Sequence, residues 1–114
     1  MRFEPIDLGF STVDADGVGL TFDKGDVVVR FTDREDADVC VAFREVIGFS
    51  WNDELDAPLH PEDAVLRVDD SPWLATQLEL AATEDPATYA HYRLCFNACG
   101  VLDVLTRRHD VYRG

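Results

Sequence analysis

The chain has 114 residues, 46% of them hydrophobic and 11% aromatic, and carries 23 acidic against 10 basic residues for a formal net charge of -13. A surface this negative repels phosphate backbones and anionic headgroups, which argues against nucleic-acid or membrane-surface partners. Acidic disordered chains are poor in aromatic and β-branched residues, whereas this one is rich in Phe and Val, so the composition predicts a single folded domain over residues 1–114.

Met1-Arg2-Phe3-Glu4-Pro5 opens the chain without an apolar signal segment behind its basic residue, and no stretch has the length of a membrane span. Cys40, Cys95 and Cys99 are an odd set in a domain large enough to fold unstapled, which predicts reduced thiols and a cytoplasmic setting. All the basic residues but Lys24 are arginine and Asp outnumbers Glu, a bias read as that of a GC-rich genome in preference to salt adaptation.

In chain order, a weak strand is expected over Ile6 to Val13. Val18 to Phe22 and Val27 to Thr32 follow as an antiparallel hairpin, with Gly25 supplying a positive φ in the turn. The run from Val39 to Trp51 is too long for one regular strand, and Gly48 marks a bulge or bend within it; Val39, Val41 and Phe43 form its core face. Asn52 to Asp63, with Pro58 and Pro61, reads as an acidic loop, and Ala64 to Val68 as a strand. Ser71-Pro72 is a helix start, cap followed by a proline whose missing N–H costs nothing there. The helix is expected over about 72–83, placing Trp73, Leu74, Gln77, Leu78 and Ala81 on one side and ending at Glu84-Asp85-Pro86. Two strands close the prediction, Tyr89 to Asn97 and Val101 to Arg107, joined at Ala98-Cys99-Gly100.

Strands interrupted by one late helix predict an α+β fold: a largely antiparallel sheet of about six or seven strands, with the main helix on one face and solvent on the other. Its open edges make a homodimer a reasonable expectation.

One arginine recurs in each of several predicted strands, at Arg30, Arg44, Arg67, Arg93 and Arg107. Aligned on one face, Arg44, Arg67 and Arg93 with His91 would hold a carboxylate or phosphate. Cross-strand pairing with the abundant acids is the preferred explanation of the same pattern. His91, Cys95 and Cys99 have ligand types that zinc accepts, but on a strand His91 and Cys95 lie roughly 13 Å apart, too far to share one ion, so no metal site is assigned. A Cys nucleophile at Cys95 or Cys99 with His60, His91 or His109 as base would have to form its thiolate in a negative field. Asp14-Ala15-Asp16-Gly17 resembles the opening of a calcium loop, yet lacks the later ligands and reads as a turn. No cofactor-binding motif is present.

Ser71-Pro72-Trp73-Leu74, followed by His91-Tyr92-Arg93-Leu94-Cys95-Phe96-Asn97 and Gly100-Val101-Leu102-Asp103-Val104-Leu105, resembles a pattern in small single-domain bacterial proteins of uncharacterised function. Some similar acidic proteins are immunity proteins, which present an acidic surface to the basic active site of a toxin. The resemblance covers the C-terminal part of the chain and carries over no functional residue.

These readings converge on a non-enzymatic interaction module for a basic protein partner such as a nuclease or toxin. Trp51, Asp53, Glu54, Asp56, Glu62 and Asp63 are the expected contact residues, with Trp51 either an exposed anchor or partly buried beside the loop. The alternative is a small-molecule or anion-binding domain, or a slow enzyme, on the Arg44, Arg67, His91 and Arg93 face.

Overall fold

The two-residue turn at Lys24 and Gly25 is the simplest local cause of the architecture. Both residues have positive φ, 51° and 84°, the combination whose twist matches that of a hairpin. It joins β2 (Asp16–Asp23) to β3 (Asp26–Thr32) with Asp23 opposite Asp26. The computed structural model describes residues 1–52, 63–82, 86–96 and 100–114. Its other elements are β1 (Arg2–Pro5), β4 (Asp38–Arg44), β5 (Gly48–Asn52), β6 (Ala64–Asp69), α1 (Pro72–Ala81), a 3-10 turn (Pro86–Thr88), β7 (Ala90–Phe96), β8 (Gly100–Thr106) and β9 (Arg108–Arg113).

The described residues form two antiparallel sheets, ordered β1-β6-β7-β8-β5 and β2-β3-β4-β9, with one short helix. The expectation of mostly antiparallel sheet with a single main helix is met. The count of six or seven strands in one sheet with a solvent-facing side is corrected to nine strands in two sheets whose inner faces bury each other. Val27, Val29, Phe31, Val39, Val41 and Phe43 come from the smaller sheet, and Val65, Leu94, Phe96, Leu102 and Val104 from the larger, into one apolar cluster. In β3, β4, β7 and β8 alternate residues point inward, as the pleat requires.

The sheets are joined by strands that change sheet. β4 turns into β5 through Glu45, which has a positive φ of 51°, and β8 turns into β9 at Arg107. The two chains cross this corner side by side: Arg44 pairs with Arg108 in one sheet and Gly48 with Leu105 in the other. Ile47 N–H donates to the Leu105 carbonyl at 3.0 Å, and the buried Thr106 hydroxyl lies 2.6 Å from the Arg44 carbonyl and 3.0 Å from that of Arg108. The expected bend in the Val39 to Trp51 run therefore exists, but at Glu45. Gly48 is needed for another reason: a Cβ there would stand 3.1 Å from the Trp73 ring and 3.2 Å from Leu105.

Three further expectations are corrected. Ile6 to Val13 is irregular instead of a strand, because Asp7 and Ser11 side chains accept the N–H groups of Gly9 and Val13; Leu8, Phe10 and Thr12 are nevertheless buried. The helix stops at Ala81, where Ala82 adopts left-handed geometry (φ 49°), so it is shorter than the predicted 72–83. Trp73, Leu74, Gln77 and Leu78 are half-buried as anticipated, whereas Ala81 is exposed. The predicted stop at Glu84 and Asp85 lies outside the described residues. β9 had no counterpart among the predicted strands.

Candidate functional site

Two regions concentrate chemistry. The first is the end of the sandwich where β2 begins and β3 turns into β4. Asp16 pairs with Thr32, and Thr32 with Asp38, so the acids flanking both strands meet there. Asp33 accepts the Glu35 and Ala37 N–H groups through one oxygen and shapes the turn that carries Glu35 and Asp36. Asp63 joins them by accepting the Asp14 N–H at 3.1 Å. Arg34, 3.8 Å from Asp14, and Arg113, whose guanidinium donates to the Gly9 carbonyl, are cations at this end.

Arg30, which lines a hollow with Asp38 and Arg113, lies at this end as well, while the arginines elsewhere are locally matched. Among the described residues every arginine except Arg30 and Arg113 forms an ion pair. Arg44 binds Asp26 at 2.9 Å and Asp110 at 3.2 Å, bonds that push its guanidinium pKa up. Arg67 bonds to Asp69 and Glu4. Arg107 bonds to Glu45 and Thr88 and stacks over Tyr89. Pairs this exposed are each worth about 0–1 kcal/mol, so they neutralise charge more than they stabilise.

The second region is the outer face of the five-stranded sheet under the helix start. Ser71 caps α1, its hydroxyl oxygen accepting the Leu74 N–H at 3.1 Å. The same oxygen lies 2.8 Å from His91 Nδ1. His91 Nε2 lies 2.7 Å from Asp103 Oδ1, and Arg93 Nε donates to that carboxylate oxygen at 2.9 Å. Ser71 is 7% exposed and His91 5%. Burial alone would raise the Asp103 pKa, but hydrogen bonds from His91 and Arg93 outweigh it and hold the carboxyl below its ordinary value. An ionised Asp103 only accepts, which assigns the Nε2 proton to His91. With Nε2 carrying the proton, a neutral ring accepts at Nδ1 and takes the Ser71 hydroxyl as its donor.

Trp73 meets the His91 ring edge-on at 5.3 Å, and Arg93 lies over the Phe3 ring at 4.7 Å. A hollow of about 440 Å³ opens here, its wall including Ser50, Ser71, Pro72, Trp73, His91 and Asp103. A larger hollow of about 700 Å³ lies beside the Pro5 to Val13 segment and Asp63. Its wall contains Asp7, Asp63 and Arg113 but no His, whereas the smaller hollow brings a hydroxyl, a His and a carboxylate together.

The strand arginines do not form one stripe. His91 and Arg93 share the hollow face, Arg67 pairs near the β1 edge of the same sheet, and Arg44 lies on the outer face of the other sheet. Trp51 is half-buried, packed on the core with its ring 6.1 Å from Phe96. Of the expected partner contacts, Asp63 sits beside Asp14, while Asp53, Glu54, Asp56 and Glu62 lie outside the described residues, as do Cys99 and His60. Cys95 is buried, and desolvation pushes its thiol up to about 11 despite the Arg93 charge, which makes it a poor nucleophile. His109 Nε2 lies 2.9 Å from the Leu8 carbonyl. Among the described residues no three potential metal ligands come together, and no helix is long and apolar enough to cross a membrane.

The Ser71–His91–Asp103 chain was not anticipated as a unit, since its members are 20 and 12 residues apart. Its available signal was the β7–β8 pairing, which sets Arg93 opposite Asp103 and His91 two pairs further on, on the same face. Comparison with protein-family models, curated proteins and solved structures found no match for this chain.

Proposed function

We propose that this protein is an interaction module of the cytosol whose acidic end receives a basic protein partner, as an immunity protein receives a toxin or nuclease. The observation that carries the reading is the hydrogen bond from Asp14 to Asp63. It gathers the β2 entry, the β3–β4 turn and the foot of the predicted contact loop into one negative region. Such a field speeds encounter with a cationic surface and orients it. Half-buried Trp51, packed on the core, would give the contact a rigid apolar floor.

The test is co-purification from the native host at low salt, followed by affinity measurement on the isolated pair. A variant with Asp14, Asp16, Glu35 and Asp36 changed to their amides should bind at least tenfold more weakly and lose most of the salt dependence of association. Amide changes at Asp70 and Glu79, on the helix side, should leave affinity within twofold. Equal effects from both sets would sink the proposal.

A second reading, a small-molecule site on the Arg- and His-bearing face, is favoured by the hollow in which His91, Arg93 and Asp103 meet. There the anion-binding alternative narrows to His91 and Arg93.

A further inference from the structure

We propose that the Ser71–His91–Asp103 chain is an acyl-transfer site for small uncharged carboxylic esters, an inference that rests on the second reading and not on the basic partner. A hydroxyl, a base within hydrogen-bond reach and a third group orienting that base are the minimum for nucleophilic catalysis, and all three are present at 2.8 and 2.7 Å. The tautomer is the productive one, because Asp103 holds the proton on Nε2 and leaves Nδ1 to receive another. The Leu74 N–H occupies one lone pair of Ser71 Oγ, which leaves the second for attack once the hydroxyl proton points at His91.

The surroundings set the substrate class. A hollow of about 440 Å³ admits a small molecule only, and Trp73 with Pro72 gives its wall an apolar side. The net charge of -13 disfavours anionic esters. The Trp73 backbone N–H, at the second helical position, has no carbonyl partner within the helix, which makes it the donor we assign to an acyl oxygen on Ser71.

In the reaction, Ser71 Oγ bonds to the ester carbonyl carbon while its proton passes to His91 Nδ1. The carbon–oxygen bond to the alcohol then breaks, and the alcohol departs with the proton from His91. Water repeats the sequence on the acyl-enzyme: it gives a proton to His91, bonds to the carbonyl carbon and releases the carboxylic acid as Ser71 recovers its proton. Ser71 and His91 are the catalytic residues, and Asp103 is a positioning residue.

The decisive experiment uses the intact wild-type chain with an alkyl fluorophosphonate, followed by intact-mass measurement and peptide mapping, with p-nitrophenyl acetate turnover in parallel. The expected result is one phosphonyl adduct, located on Ser71. His91→Asn should slow p-nitrophenolate release about 100-fold or more. Asp103→Asn should slow it as well and also change the pH dependence of the rate, a readout that loss of packing alone would not move. An unlabelled wild-type Ser71, or an adduct at any other residue, overturns the proposal whether or not the variants fold. Saturable binding of p-nitrophenyl acetate at this hollow without acylation also overturns it, while leaving the small-molecule reading in place.

Discussion

Thr12 and Thr106 have side chains buried to the same degree, 1% and 0% exposed, in opposite hydrogen-bonding states. The Thr106 hydroxyl lies against two carbonyls at the corner between the sheets, whereas the Thr12 hydroxyl has no partner among the described residues. Replacing either by valine exchanges a hydroxyl for a methyl of similar size. At Thr106 this removes a hydrogen bond worth about 1 kcal/mol and adds a penalty of about 1 kcal/mol for a stranded carbonyl. The lower end of that penalty applies because the Arg44 carbonyl still accepts the Arg107 N–H at 3.4 Å. At Thr12 the same change relieves an uncompensated buried hydroxyl and should gain about 1 kcal/mol. The variants should therefore differ by about 3 kcal/mol, which at a urea dependence of about 1.5 kcal/mol/M separates their midpoints by about 2 M. Urea unfolding followed by tryptophan fluorescence gives both midpoints, with slopes equal to wild type. Midpoints within about 0.5 M of each other, or Thr12→Val the less stable, would refute the assignment of the corner's strength to Thr106.

Gly48→Ala should cost about 1–3 kcal/mol by forcing Trp73 and Leu105 apart, and should shift the tryptophan emission; an unchanged melting temperature would show that the ring yields freely. Lys24→Asn, which places a residue tolerant of positive φ in the hairpin turn, should raise stability by about 0.5–1 kcal/mol in thermal unfolding, and a loss would contradict the turn geometry. Asp103 has its pKa lowered in the folded state, so its stabilising contribution is complete above the ordinary value of 3.8 and fades as pH falls through the lowered one. The stability gap between wild type and Asp103→Asn should accordingly narrow from about pH 5 to about pH 2, and a constant gap would mean that the carboxylate is not held ionised.

The β2–β3 hairpin and β7 were legible because local signals agree in them: inward apolar residues at alternate positions, Val27, Val29 and Phe31 in β3 and Tyr92, Leu94 and Phe96 in β7, and in the hairpin a glycine where φ is positive. β9 was invisible for the converse reason. Arg108-His109-Asp110-Val111-Tyr112-Arg113 places only one aliphatic residue toward the core, since an edge strand has less to bury. Ile6 to Val13 misled because inward alternation at Leu8, Phe10 and Thr12 is what a strand shows, while the local Asp7 and Ser11 bonds that bend it look like ordinary polar spacing. The arginine pattern was real in sequence, but periodicity fixes a face only within one sheet. Two sheets scatter Arg44 away from Arg93. Ser71 was read correctly as a cap, and that role hid its second one. A residue explained by its neighbours in sequence gives no hint of a partner 20 positions away.

The corner at Glu45 and Arg107 has a consequence for how the molecule opens. Each of the two chain segments that cross it contributes a strand to both sheets, so neither sheet can unravel while the other remains whole. Amide protons as distant as those of Val41 and Val104 should then exchange with one common free energy, that of global unfolding, and follow one another through any mutation of the corner. Most of the strand pairing that closes the corner joins residues far apart in sequence, such as Gly48 with Leu105 and Arg44 with Arg108. Non-local pairing of this kind carries a loop-closure cost, so refolding is expected on the millisecond-to-second scale of β-rich domains.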